Sequence, residues 1–85
     1  MTESWDERYE QLLIGVLPRL SRSGAVAPDT NLRAVGLDSM AIVEIVVRIE
    51  EAYGIRLPDE TLQAETFRTP GDLWAVVRTQ VAQQV

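Results

Sequence analysis

The sequence predicts an all-α protein: a small four-helix bundle of three main helices plus a short third helix, with a long loop between helices 1 and 2. Three observations carry this prediction. Apolar residues recur at three- and four-residue spacing in three segments, which is the period of an amphipathic helix. Residues that start or stop helices bound each segment. No segment alternates convincingly as a half-buried strand would. At 85 residues, the chain is expected to form a single domain, residues 1–85.

The composition argues against several classes of protein. The chain has no cysteine and no histidine, which excludes disulfides, sites with thiolate or histidine metal ligands, and Ser–His or Cys–His nucleophile pairs. Because these nucleophile pairs are excluded, no catalytic residue is predicted. No run resembles a calcium loop, so no metal site is predicted either. The net charge of −5 argues against nucleic-acid partners. The acidic N-terminus does not resemble a signal peptide, and no apolar stretch approaches the roughly 20 residues that span a bilayer. We therefore expect a cytoplasmic protein without membrane partners.

The first helix is predicted to begin at Ser4, because the S-x-x-E pattern of residues 4–7 is a capping box. Pro18 lacks a backbone donor and clashes with the preceding turn, so the helix should kink or end near it. The apolar face of this helix consists of Tyr9, Leu12, Leu13, Val16, Leu17 and Leu20. The first helix is therefore amphipathic and structural.

Residues 21–38 are predicted to form a long connection. Its turn-forming residues are Gly24, Pro28, Asn31 and Gly36. The residues expected to anchor it to the core are Leu32, Val35 and Leu37. A short helical turn is expected after Asp29 or Thr30. Connections of this length are often functional.

The second helix is predicted to run from about Ser39 to Tyr53 and to end at Gly54, a favourable residue just after a helix. At about 100° per residue, one set of side chains shares a face and should enter the core. This core face consists of Ile42, Ile45, Val46, Ile49, Ala52 and Tyr53. The side chains roughly opposite, which should be solvated, are Glu44, Arg48 and Glu51.

A short third helix and the last helix complete the chain. Asp59 is expected to cap a short third helix. In the last helix, Thr69 is the predicted cap, Pro70 the first residue, and Asp72 lies in the first turn. The apolar face of the last helix consists of Leu73, Val76, Val77 and Val81.

Three apolar residues of the second helix belong to neither of its faces, and we call them the apolar stripe: Met40, Val43 and Val47. Acidic residues and Ser39 flank this stripe. It either packs under the long loop or the third helix, or it forms a docking surface. A docking surface of this kind suits a partner that presents apolar and basic groups.

Asp38 and Ser39 are both preferred N-cap residues, although a helix needs only one cap. Neither completes a capping box, because Ala41 and Ile42 stand three positions after them. Ser39 is therefore either a cap or, if Asp38 caps, a free hydroxyl at the positive end of the helix dipole. A phosphate is favoured at that end. These residues alone leave both interpretations open.

The segment "GLDSM", residues 36–40, resembles the phosphopantetheine attachment motif of the acyl carrier protein family. The similarity extends over "PDTNLRAVGLDSMAIVEIVVRIEEAYGIRLPDE" and "TFRTPGDLWAVV", and it covers essentially the whole chain. The resemblance implies a non-catalytic carrier. A phosphopantetheinyl transferase would attach a 4'-phosphopantetheine arm from coenzyme A to the Ser39 hydroxyl, and acyl groups would be held on it as thioesters.

The resemblance also implies residues for partner recognition. Asp38 matches the family residue that assists recognition by the transferase. Biosynthetic enzymes of the acyl-loading, ketosynthase and acyltransferase kinds are expected to dock on the second helix. The implied partner-binding residues are Met40, Val43, Glu44, Val47, Glu50 and Glu51.

Further features favour particular branches of the family. Peptidyl carriers more often have histidine before the serine, so Asp38 favours an acyl or polyketide carrier. Arg48 interrupts the acidic face, which argues against primary fatty-acid synthesis. With no Pro- or Gly-rich linker, we expect a free-standing monomer in polyketide or other secondary-metabolite pathways, including antibiotic biosynthesis.

The residues leave three alternatives. One is an aminoacyl or peptidyl carrier of a nonribosomal pathway, since some discrete carriers hold amino acids. Another is an unmodified helical interaction module with the same fold. An enzyme that uses Ser39 as its nucleophile is disfavoured, because all eight basic residues are arginine and no lysine or histidine can act as the base.

Overall fold

The computed structural model describes residues 5–21 and 26–84, and these residues contain three α-helices. Helix α1 spans Glu7–Val16, α2 spans Ser39–Tyr53, and α3 spans Pro70–Gln84. The 3-10 turns between them are Pro18–Ser21, Leu32–Val35 and Asp59–Thr61. No strand occurs within the described ranges, so the all-α prediction is confirmed, and the short third helix is the single turn Asp59–Thr61. None of the described helices is long and apolar enough to cross a membrane.

Helix α1 begins later than the predicted start at Ser4, a residue that lies outside the described ranges. Trp5 and Asp6 are not helical, and the Asp6 carboxylate caps the helix by accepting a 2.9 Å hydrogen bond from Tyr9 N. Asp6 also accepts a 2.7 Å hydrogen bond from the Tyr53 hydroxyl at the end of α2. Aspartate caps as well as serine does, and the Tyr53 hydrogen bond also ties this cap to the end of α2. The helix ends at Val16, just before Pro18, as predicted.

Two tyrosines join the ends of the helices. Arg8 lies 4.4 Å from the Tyr53 ring centroid and donates a 3.0 Å hydrogen bond to Ala52 O, so α1 is tied to the end of α2. Burial and the Asp6 hydrogen bond raise the pKa of Tyr53 to about 12, so its hydroxyl remains a donor at neutral pH. The Tyr9 hydroxyl donates a 2.6 Å hydrogen bond to Pro70 O and so ties α1 to α3.

One hydrophobic cluster draws on all three helices and on the long connection. Residues with no exposed surface include Tyr9, Leu13, Leu32, Ile45, Ile49, Leu73 and Val77. The predicted apolar faces are therefore confirmed, and their outer residues are half-buried against the cluster: Val16, Ile42, Val46, Ala52, Tyr53, Val76 and Val81. Trp74 was not predicted to be buried, yet it packs on Tyr9 with 4.8 Å between ring centroids.

The long connection is held against the residues around the start of α3. Leu32 N donates a 3.0 Å hydrogen bond to Arg68 O, and Gly71 N donates a 2.9 Å bond to Pro28 O. The expected helical turn is present, although it begins at Leu32 with Asn31 as its cap. The turn ends at Gly36, whose φ of 105° favours glycine. These contacts position the segment that leads into α2.

Of the two caps predicted for the later elements, the one at Thr69 is confirmed and the one at Asp59 is wrong. Thr69 Oγ1 accepts a 3.1 Å hydrogen bond from Asp72 N, so the predicted cap of α3 is confirmed. Asp59 does not cap the short turn: it is the first residue inside the turn, and the cap position belongs to Pro58, which makes no side-chain cap bond. The fixed φ of proline begins the turn one residue earlier than the sequence predicts.

Alanine substitutions at two glycines are expected to have opposite effects. A Cβ on Gly71 would lie 2.9 Å from Pro28 O, a backbone atom that cannot move without losing the hydrogen bond to Gly71 N. Gly71→Ala is therefore expected to cost about 1–3 kcal/mol. A Cβ on Gly15 in α1 would lie 3.3 Å from the flexible end of Arg48, so Gly15→Ala should stabilise the helix by about 0.5–1 kcal/mol. Urea unfolding followed by circular dichroism measures both, and effects of the same sign would contradict the packing described.

Candidate functional site

The site begins where the long connection enters α2. Asp38 is extended and is the N-cap, and its carboxylate accepts a 2.8 Å hydrogen bond from Ala41 N. Its carbonyl oxygen accepts a 2.9 Å bond from Ile42 N, the first bond of the helical ladder. Asp38 is thus the cap, and Ser39 is the first residue of the helix. The predicted span of α2, Ser39–Tyr53 with Gly54 following, is confirmed.

Ser39 is exposed, and its hydroxyl makes no hydrogen bond to any residue in the described ranges 5–21 and 26–84. It stands at the end of α2 where unpaired backbone N–H groups and the helix dipole favour a negative charge. A phosphodiester formed on this oxygen would disrupt no contact of the fold, and its charge would lie at the positive end of the helix. The arrangement therefore fits a covalently attached phosphate group.

The apolar stripe faces solvent. Met40 is 80% exposed, Val43 62% and Val47 46%. The alternative that these side chains pack under the long loop or the third helix is therefore wrong. Because Ile45 and Ile49 of the same helix have no exposed surface, α2 buries one apolar face and presents a second one outward.

The acids near the stripe differ in what they contact. Glu44 Oε2 accepts hydrogen bonds of 3.1 and 2.7 Å from Nε and one terminal nitrogen of Arg48, one turn further along. Glu50 is half-buried, and its carboxylate accepts a 2.9 Å bond from Leu57 N, so it holds the chain that leaves α2. Glu51 is exposed and makes no such contact within the described residues. The i, i+4 spacing of Glu44 and Arg48 is a sequence signal for their pairing, whereas no local pattern reveals the Glu50 contact.

A cavity of about 360 Å³ lies beside the start of α2, and sequence reasoning missed it. Leu37 and Ile42, which bracket Ser39 in the sequence, form part of its wall together with Phe67. Arg33 from the long connection and Arg68 from the segment before α3 also line it. Because these residues come from separate segments, only the folded chain brings them together.

The fold and the site define a class: a small helical carrier with an open serine at the head of its second helix. Comparison with known families agrees. The chain matches the family described as "Phosphopantetheine attachment site" over residues 11–77 and belongs to that family. It is therefore a non-catalytic carrier of a covalently attached 4'-phosphopantetheine group, loaded by a phosphopantetheinyl transferase and used by biosynthetic enzymes.

Individual relatives share much of the chain. An acyl carrier protein of Prochlorococcus marinus is 45% identical over 71 residues, covering 81% of this chain and 86% of that protein. Nodulation protein F of Rhizobium leguminosarum bv. trifolii is 32% identical over 62 residues, covering 72% of this chain and 67% of that protein. A probable acyl carrier protein of Streptomyces coelicolor is 41% identical over 49 residues, covering 58% of this chain and 51% of that protein.

Proposed function

We propose that Ser39 is the attachment residue and that the chain carries acyl groups for polyketide or other secondary-metabolite biosynthesis. The observation that carries the assignment is the division of roles at the head of α2. Asp38 supplies the cap, and the adjacent Ser39 hydroxyl is exposed and unbonded within the described residues. A serine that served only as a cap would accept the bond that Asp38 accepts here.

The attachment chemistry follows from this geometry. Ser39 Oγ attacks the phosphorus of coenzyme A that bears the pantetheine. A phosphorus–oxygen bond to Oγ forms, the bond to adenosine 3',5'-bisphosphate breaks, and the hydroxyl proton passes to a base of the transferase. When bound, the arm supplies a terminal thiol on which acyl groups are carried as thioesters. Asp38 keeps the first turn closed around Ala41 N, while its second carboxylate oxygen is available for recognition by the transferase.

Partner enzymes are proposed to dock on the apolar stripe. An exposed apolar strip with acids at its edge suits a partner with an apolar recess and a basic rim. Glu51 is the acid best placed for such a rim, since Glu44 is paired with Arg48. We include Glu50 in the surface, although its carboxylate already holds Leu57 N.

The pathway is proposed from features of this chain. Aspartate rather than histidine precedes the serine, and Arg48 interrupts the acidic face. One relative is named a nodulation protein rather than an acyl carrier protein, so similar chains bear more than one name. We further propose that residues 1–85 act as one carrier domain, in keeping with the hydrophobic cluster of the described residues, and that this domain is cytoplasmic and monomeric.

The test is to co-express the chain with a promiscuous phosphopantetheinyl transferase and to weigh the intact protein. The expected result is a mass gain of one phosphopantetheine group, located on Ser39 by fragmentation of the peptide that contains it. A protein that stays unmodified under conditions where a known carrier is fully loaded would favour an interaction module of the same fold. A gain located on another residue would overturn the site.

The docking surface makes a separate prediction. Met40→Ala is expected to lower kcat/KM of the transferase about 5- to 30-fold, because an exposed apolar contact at an interface centre contributes about 1–2 kcal/mol. Leu62→Ala is the matched control, since Leu62 is also an exposed apolar residue (37%) but lies outside α2. Its kcat/KM should change less than about twofold. Initial rates at low substrate concentration measure both, and equal losses for the two variants would contradict docking on the apolar stripe.

A further inference from the structure

Arg48 lies at the edge of α2 that faces α1, next to the acids that border the apolar stripe. Its Nε and one terminal nitrogen both donate to Glu44 Oε2, at 3.1 and 2.7 Å. Its other terminal nitrogen lies against α1, because a Cβ on Gly15 would be only 3.3 Å from it. The guanidinium is therefore held between the Glu44 carboxylate and the backbone of α1.

The glycine at position 15 leaves the space that this guanidinium occupies. Gly15 lies inside α1, where glycine is less favourable than alanine. Its φ is not positive, so the backbone conformation does not require glycine there. A side chain at this position would crowd Arg48. The neighbouring helix thus accommodates the position from which Arg48 reaches Glu44.

The pair changes the charge that α2 presents beside the apolar stripe. Glu44 and Arg48 together carry no net charge, whereas Glu51 is exposed and has no such contact within the described residues. The charged residues that line the groove between α1 and α2 are Arg8, Arg48 and Glu51. A basic group of a partner is therefore attracted at Glu51 and meets positive charge on the side toward α1.

We propose that Arg48 is a specificity-determining residue of the docking surface, which selects partner enzymes with a basic residue opposite Glu51 and none opposite Glu44. The proposal rests on the proposed function, because it concerns the enzymes that dock on the apolar stripe. It deepens that function by stating the charge pattern of the partner. A partner with a continuous basic rim is disfavoured, since one of its basic residues would meet the Arg48 guanidinium.

The experiment compares two carrier acyltransferases that transfer an acyl group from coenzyme A to the terminal thiol of the arm. One has a continuous basic rim around its carrier-binding recess, and the other has a single basic residue there. With the first enzyme, Arg48→Gln in the holo protein is expected to raise kcat/KM about three- to fivefold at low salt, the scale of an exposed charge pair. At about 0.5 M salt, this gain should fall below about twofold, because exposed charges are screened. With the second enzyme, the change should stay below about twofold at either salt concentration.

Two further variants separate the local charge from other effects. Arg48→Lys keeps the charge, so its kcat/KM with the first enzyme should stay within about twofold of wild type. Arg56→Gln makes the same change in net charge at an exposed arginine outside the three helices, and it should also stay within about twofold. Urea unfolding checks that each variant is folded, which is expected because exposed charge pairs contribute little to stability.

The outcomes distinguish this proposal from the one on which it rests. Equal kcat/KM values for wild type and Arg48→Gln with the first enzyme would overturn the role of Arg48. The same gain in Arg56→Gln would also overturn it, since net charge alone would then explain the result. A protein that gains no phosphopantetheine, as judged by intact mass, would instead contradict the proposed function.

Discussion

Replacing Ser39 with alanine is expected to abolish phosphopantetheine attachment and to leave the free energy of unfolding within about 0.5 kcal/mol of wild type. Attachment fails because the nucleophilic oxygen is removed. Stability is retained because the Ser39 side chain is exposed and makes no hydrogen bond within the described residues. Intact mass after incubation with transferase and coenzyme A measures attachment, and urea unfolding measures stability.

The neighbouring aspartate is the matched control for this experiment. Asp38→Ala removes the acceptor of the 2.8 Å bond from Ala41 N and is expected to cost about 1 kcal/mol of stability. Asp38→Asn keeps a good cap and removes the charge, so it should be as stable as wild type within a few tenths of a kcal/mol. A slower attachment rate in Asp38→Asn would then report recognition of the carboxylate by the transferase, separately from capping.

Two outcomes would contradict the roles given to these residues. A Ser39→Ala protein that still gains one phosphopantetheine would place the attachment elsewhere. A Ser39→Ala protein that loses more than about 1 kcal/mol, with Asp38→Ala unchanged, would make Ser39 the cap.

Ile49→Ala is expected to cause a large loss of stability. Ile49 has no exposed surface, and truncating a buried isoleucine to alanine costs about 2–5 kcal/mol through lost burial and the cavity left behind. A domain of this size has a total stability of only about 4–13 kcal/mol. Thermal unfolding should therefore show a fall in Tm of roughly 10 °C or more.

Val47→Ala, two residues away on the same helix, is the control. Val47 is 46% exposed, and alanine has a higher helix propensity than valine, so the change in stability should be about 0.5 kcal/mol or less. The effects on partners should run in the opposite order: Val47→Ala removes part of the apolar stripe, and Ile49→Ala leaves it in place. Similar losses of stability for both variants would mean that the two faces of α2 are assigned wrongly.

These paired variants separate the three roles that α2 combines. Its inward face holds the core together through Ile45 and Ile49. At the N-terminus of the helix Asp38 is the cap, so the Ser39 hydroxyl is not needed for capping. The outward stripe leaves apolar surface available at a modest cost in solubility, which the net charge of −5 offsets. Under the proposed function this separation is needed, because the protein must remain folded while different enzymes contact the same helix.

Local features of the chain were predictable from the residues themselves. The bounds of α2, the end of α1 before Pro18, and the cap of α3 at Thr69 depend on hydrogen bonds and proline geometry within a few residues. The core face of α2 follows from the 3.6-residue period alone. The adjacent pair Asp38–Ser39 marked the proposed site, although sequence alone did not decide which of the two residues caps the helix.

Tertiary contacts decided the remainder. The first cap, Asp6, also accepts a hydrogen bond from the Tyr53 hydroxyl, which lies 47 residues away in the sequence and which no local pattern predicts. The apolar stripe could have been covered by the loop, and only the folded chain shows it exposed. The cavity beside Ser39 is assembled from segments that no periodicity connects. The physical reason is the same in each case. Helix propensity and capping act within a single turn of the chain, whereas side-chain exposure and cavities depend on how segments that are distant in the sequence pack together.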